Sequence, residues 1–176
     1  LAAHTDREYV VLELTKRWIT VLNHGGEIWV KEGGQSDITA DVVKRIRSQA
    51  PDLDTATRIH VVQHSQWNED QTTDAALTYA REHTHYVKIP DANAYLNIEG
   101  GDKAFTEAAS NHPNFGTAWR AAFAYYNPEH RLDYSDTGEL LHILGLGEMN
   151  MENFRQHFLS EKDARSLNRS DAGDGQ

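Results

Sequence analysis

Apolar positions recur along the chain at two periods, and the switches between them mark out the elements. Over residues 5–23, Val10, Val11, Leu14, Trp18, Val21 and Leu22 fall on one helical stripe, with Thr5 or Asp6 as N-cap. His24-Gly25-Gly26 stops that helix. Residues 27–31 are rich in Ile, Trp and Val and read as a strand, closed by Gly33-Gly34. Ser36 or Asp37 then caps a helix whose apolar face is Ile38, Val42, Val43 and Ile46. Residues 51–57 read as a loop, 59–63 as a buried strand, 74–84 as a helix with Ala76, Leu77 and Ala80 inward, and 86–89 as a third strand ended by Pro90.

Strand and helix alternate through 27–89, which predicts an open α/β, mainly parallel, Rossmann-like sheet with right-handed crossovers and helices on both faces. From 91 to 115 the pattern weakens to a loop or insertion that could cover a site, with one short helix at 102–110. Helices follow at 116–126, from Ser135 or Asp136 through Leu140, Leu141 and Leu144, and at 150–159. One domain over 1–160 is expected, with a polar tail at 161–176 that reads as disordered. The sequence shows no internal repeat.

Composition narrows the function. The formal net charge of −10, with no Lys/Arg run, argues against nucleic acid or an anionic membrane as partner. The chain of 176 residues contains no cysteine, which removes thiol nucleophiles, disulfides and thiolate metal sites. No apolar run reaches membrane-spanning length, so a soluble protein is expected, with cytoplasmic and exported locations both open. No serine stands in a nucleophile elbow. Neither His83 with His85 nor His130 with His142 has the spacing of a helical or ribbon zinc site.

Three stretches hand a strand or turn to a helix through polar residues: 27–43, 59–76 and 131–144. Open α/β sheets hold ligands at such positions. In the first, Gly33-Gly34-Gln35-Ser36-Asp37 is either a tight turn or a backbone cradle for anions or sugar oxygens; it is not a Walker loop. In the second, Gln66, Trp67 and Asn68 suit a sugar, with amides for the hydroxyls and an indole for the ring face, although Asn68 as a turn cap is an equal reading. In the third, Asp136 is ordinarily an N-cap, and with Asp133 it could coordinate a hard cation only if other carboxylates joined it.

Taken in order, these stretches resemble the nucleoside hydrolase family of the inosine-uridine-preferring type. Gly33-Gly34-Gln35-Ser36-Asp37 is similar to its Gly-Pro-Leu-Thr-Asn turn. Gln66-Trp67-Asn68 followed by Thr73-Asp74-Ala75-Ala76 is similar to its acidic-Phe-Asn segment and Asp-Pro-Glu-Ala-Ala helix, and Ser135-Asp136 to its late His-Asp pair. The resemblance implies hydrolysis of an N-glycosidic bond by a calcium-activated water. Asp136 and the backbone carbonyl of Ser36 would be metal ligands, Asn68 would meet the ribose hydroxyls with Gln66 beside it, and Trp67 and the Asn93 region would line the pocket. Ser135 takes the place of the histidine that activates the leaving base.

The family's N-terminal aspartate cluster has no counterpart in the chain, which looks like the middle and C-terminal part of such a protein and is expected to be inactive by itself. A nucleoside or sugar-like small molecule is the expected ligand, with a homo-oligomer or a preceding segment as further partners. The alternative is a non-catalytic sugar- or nucleoside-binding module that has lost the metal. A generic flavodoxin-like domain with ordinary capped turns is the third reading.

Overall fold

The computed structural model describes residues 3–98, 102–126 and 132–159. The tail expected at 161–176 lies outside them. In chain order the elements are α1 (Arg7–Asn23), β1 (Ile28–Glu32), α2 (Asp37–Gln49), α3 (Thr55–Arg58), β2 (Ile59–Gln63), α4 (Gln66–Gln71), α5 (Asp74–His83) and β3 (His85–Lys88). These are followed by α6 (Asn93–Leu96), β4 (Asn97–Ile98), α7 (Lys103–Ser110), α8 (Gly116–Tyr126), β5 (Leu132–Asp133), α9 (Thr137–Ile143) and α10 (Met151–Leu159). The chain divides into two compact units, Leu1–Ala92 with Asp136–Gly147, and Asn93–Ser135 with Glu148–Gln176.

The first unit is α/β, with β1, β2 and β3 forming an open, all-parallel sheet in chain order. Register pairs Val30 with Val61 and Val61 with Tyr86. Because side chains alternate across a strand, Ile28, Val30, Ile59, Val61 and Tyr86 share one face. Val11 and Leu22 of α1 and Val42, Val43 and Ile46 of α2 pack on that face as one cluster, joined by Tyr79 of α5. Asp6 is the N-cap of α1, accepting from the amide of Tyr9 at 3.0 Å. Val21, expected on the buried stripe, is 39% exposed, while Thr15 takes an inward place. The opposite face presents Trp29, Lys31, His60, Val62, His85 and Val87, and α9 packs against β1 and β2.

The second unit is mainly helical. The fully buried Phe105 meets Trp119, Tyr134 and Phe154 at ring-centroid distances of 5.6, 5.1 and 5.9 Å. β4 and β5 pair antiparallel. The strand read at the start of the third stretch therefore belongs to this small ribbon and not to the parallel sheet.

The polar stretch after β2 forms α4, capped by the Ser65 hydroxyl, which accepts from the amide of Trp67 at 3.1 Å. Its inward residues are Asn68 and Glu69, so no apolar period announces it. Part of the loop read at 51–57 is the single turn α3, which Asp54 caps through the amide of Thr57.

Candidate functional site

The loops at the C-terminal ends of β1 and β2 are joined by side chains and not left to solvent. Gln63 donates through Nε2 to the carbonyl of Gly34 at 2.7 Å, fixing the turn after β1. Asn68 donates to Gln63 Oε1 at 3.3 Å and to the carbonyl of His64 at 3.2 Å. The Thr72 hydroxyl donates to the Asn68 carbonyl at 3.0 Å and accepts from the Ser36 amide at 3.1 Å. Buried polar groups so connected act as one rigid scaffold, because each costs free energy if it loses its partner.

That scaffold holds His64 in the interior, its side chain 2% exposed. Its Nδ1 lies 3.4 Å from Asp91 Oδ1, and its Nε2 lies 3.3 Å from Asp136 Oδ1 and 3.6 Å from Glu139 Oε1. Asp136 occupies the N-cap position of α9 but makes no side-chain cap bond. Its carboxylate turns toward His64 and lies over Gly33, where a Cβ would come within 2.8 Å of Oδ2 and 3.1 Å of Lys31 Nζ. The missing side chain of Gly33 is what admits the carboxylate; the backbone there needs no special torsion.

Two carboxyl groups of this edge titrate near neutrality. Burial is the main reason that Glu139 is pushed up to about 7; its own backbone amide and the charges of His64 and Lys31 pull the other way, and Asp136 adds to the rise. Both Glu139 oxygens are buried without a hydrogen-bond partner. Burial likewise raises Glu32 to about 7, with the charge of Glu139 adding to it and the Thr39 hydroxyl, which donates at 2.6 Å, opposing it. The Ser36 hydroxyl is buried beside Glu32 and Tyr86 without hydrogen-bond geometry to either. Carboxyls poised at this pH, with an imidazole between two of their neighbours, can take up and release protons under ordinary conditions.

The residues named from sequence are placed as follows. Asp136 is half exposed and faces His64. Ser36 is fully buried, and its carbonyl accepts from the Ala40 amide at 2.9 Å as the first acceptor of α2. Asn68 is buried with its amide N–H groups committed inward. Gln66 lies on the surface, accepting from Lys88 and donating to Asp70 at 2.8 Å, and the Trp67 ring is 63% exposed.

Asn93 and Ser135 belong to the second unit. Asn93 accepts from Asn97 at 2.9 Å, and the Ser135 hydroxyl donates to Asp133 at 2.7 Å. Glu69, next to the expected sugar contacts, is structural. Burial pushes its carboxyl up, but hydrogen bonds from Lys88, Arg81 and Tyr86 at 2.7, 2.7 and 3.0 Å outweigh that and hold it below the usual value.

The sequence reading passed over Glu32, His64 and Glu139. The face expected for α9, Leu140, Leu141 and Leu144, is also corrected: Gly138, Glu139 and Leu141 are buried, whereas Leu140 and Leu144 are 38% and 56% exposed. A helix of seven residues is too short for apolar periodicity to fix its phase. The available signal was small Gly138, three residues before Leu141 and so on its face, with an acidic residue beside it.

Calcium takes six to eight oxygen ligands. Among the described residues no group of three or more His, Asp or Glu could hold a metal ion, and Asp136 brings one carboxylate, so the residues present do not make up a calcium shell. No helix among the described residues is long and apolar enough to cross a membrane. Compared with family models, curated proteins and solved structures, the chain matches none.

Proposed function

We propose that the C-terminal edge of the parallel sheet is the ligand site of a glycosidase-type hydrolase acting on the N-glycosidic bond of a ribonucleoside or a related glycoside. The observation that carries this reading is the meeting of Asp136, His64 and Glu139 beside Glu32, with two carboxyls near 7. Cleavage of such a bond asks for two proton movements: water loses a proton as its oxygen bonds to the anomeric carbon, and the departing base gains one as its bond to that carbon breaks. A carboxyl at about 7 can serve in either direction. The exposed Asp136 carboxylate suits both the sugar hydroxyls and the positive charge that develops on the ring.

The non-catalytic alternative draws on one specific observation. The Gln66 amide and the Ser135 hydroxyl, the neutral groups at positions charged or basic in the resembled family, are bonded within the protein.

Release of free base from purine and pyrimidine ribonucleosides, together with calorimetric binding of nucleoside and ribose, tests both readings. Cleavage that falls in Asp136→Asn and Glu139→Gln variants that stay folded at the assay pH supports the hydrolase. Binding without cleavage, lost in Asp136→Asn, supports the binding module, and neither binding nor cleavage overturns the site.

A further inference from the structure

The sheet face opposite α1, α2 and α5 carries a second group of side chains that the proposed hydrolase does not use. Trp29, His60 and His85 sit at registered positions on neighbouring strands, Trp29 beside His60 and His60 beside His85. The Trp29 ring stacks on the His60 imidazole with centroids 4.0 Å apart and planes 11° apart. His60 and His85 meet edge to face, planes at 85°, with their Nδ1 atoms 2.9 Å apart. On the far side of His60, Nε2 lies 3.2 Å from Glu27 Oε2.

The tautomers follow from these contacts. A carboxylate only accepts, so Glu27 selects the form of His60 protonated at Nε2 and leaves Nδ1 with a bare lone pair. A carboxylate holding the outer nitrogen of an imidazole is also the usual way in which a metal-binding histidine is oriented. Opposite that lone pair stands Nδ1 of His85, an exposed residue. In the metal-free protein a proton on His85 Nδ1 fills the gap. A cation with nitrogen-ligand preference is the other species that fits between two facing imidazole nitrogens.

We propose that His60 and His85 form a two-imidazole site for a divalent transition-metal ion of the Zn²⁺, Ni²⁺ or Cu²⁺ class, with Glu27 as the positioning residue. Two nitrogens bound at 2.0–2.1 Å on a tetrahedral centre lie about 3.3 Å apart. The Nδ1 pair at 2.9 Å therefore has to open by about 0.4 Å, a change that a small turn of exposed His85 supplies. On binding, the His85 proton moves through water from Nδ1 to Nε2, and none is lost. Two protein ligands leave the remaining positions to water or to a donor from outside. Imidazole selects these ions over calcium or magnesium, which prefer oxygen. The site rests on geometry separate from the proposed hydrolase edge.

The test is a titration of the full chain with Cu²⁺ and Zn²⁺, followed by tryptophan fluorescence and by calorimetry. Copper seated on His60 quenches the stacked Trp29, so saturable quenching at one equivalent is expected. Trp29→Phe should abolish that quenching while calorimetric binding persists. His85→Gln, an exposed change whose folding is checked by urea denaturation, should remove the saturable phase, and Glu27→Gln should weaken it about 10- to 100-fold. Equal binding by the wild type, His85→Gln and Glu27→Gln would overturn the proposal, as would undiminished saturable quenching in Trp29→Phe, since the ion would then sit among other histidines.

Discussion

Replacing Glu139 by Gln isolates the cost of ionising a buried carboxyl. A group whose folded-state pKa is raised favours folding in its protonated form. Its contribution is fully present below the unfolded value of 4.5 and is lost as pH rises through the folded value of about 7. At 1.36 kcal/mol per pH unit, the interval from 4.5 to about 7 corresponds to about 3 kcal/mol. Glutamine has nearly the same shape and no titration, so whatever its amide costs is independent of pH. The difference in unfolding free energy between Glu139→Gln and the wild type should therefore move by about 3 kcal/mol in favour of the variant between pH 4.5 and pH 8, most of it before pH 7. Urea denaturation followed by tryptophan fluorescence at five or six pH values measures that difference. Carboxylates elsewhere, Glu69 included, cancel in the subtraction. In the double variant with Glu32→Gln the two effects should add to less than their sum, because the charge of Glu139 is one of the causes that raise Glu32. Parallel stability curves for wild type and Glu139→Gln would refute the reasoning, since they would mean that Glu139 is ionised without cost in the folded protein.

Glu69→Ala removes a buried acceptor shared by Lys88, Arg81 and Tyr86 and should lower stability by about 2–3 kcal/mol at pH 7; the loss stays moderate because Arg81 and Lys88 can turn to water, and urea midpoints will show it. Gly33→Ala should leave stability within about 0.5 kcal/mol, since the obstructed atoms are ends of exposed side chains, yet it should displace the Asp136 carboxylate and depress nucleoside or ribose binding as Asp136→Asn does; calorimetry decides. Ser65 holds φ at 69°, outside the comfortable range of a residue with a Cβ, so Ser65→Gly should raise stability by about 1 kcal/mol despite losing the cap, and Ser65→Ala should lower it by about as much.

The three strands were readable because Ile, Val and Trp cluster between Gly, Pro and polar breaks, most densely in β2, which is buried on both faces. α2 and α5 were readable for the same reason at the helical period. α4 was not, because its buried residues are Asn68 and Glu69, polar side chains satisfied by Gln63 and by Arg81, Tyr86 and Lys88. Asp136 was visible as a carboxylate at a helix start. What set it apart from an ordinary cap, the vacant space over Gly33 and the ring of His64, comes from residues 103 and 72 positions away. Glu32 and Glu139 look in sequence like any surface glutamate, and only burial by distant neighbours brings their carboxyls near 7.

The order in which these pieces come off the ribosome has its own consequence. Strands lie in the sheet in the order of synthesis, each crossover joining neighbours, so α1 through β3 can form with loop closures of about 30 residues and little waiting. α9 belongs to the same unit but follows the whole of residues 93–135. A nascent chain ending near Ala92 would thus hold its sheet and hydrophobic cluster while His64 still lacked Asp136 and Glu139. The edge on which the proposed chemistry rests is completed late, by a long-range docking step.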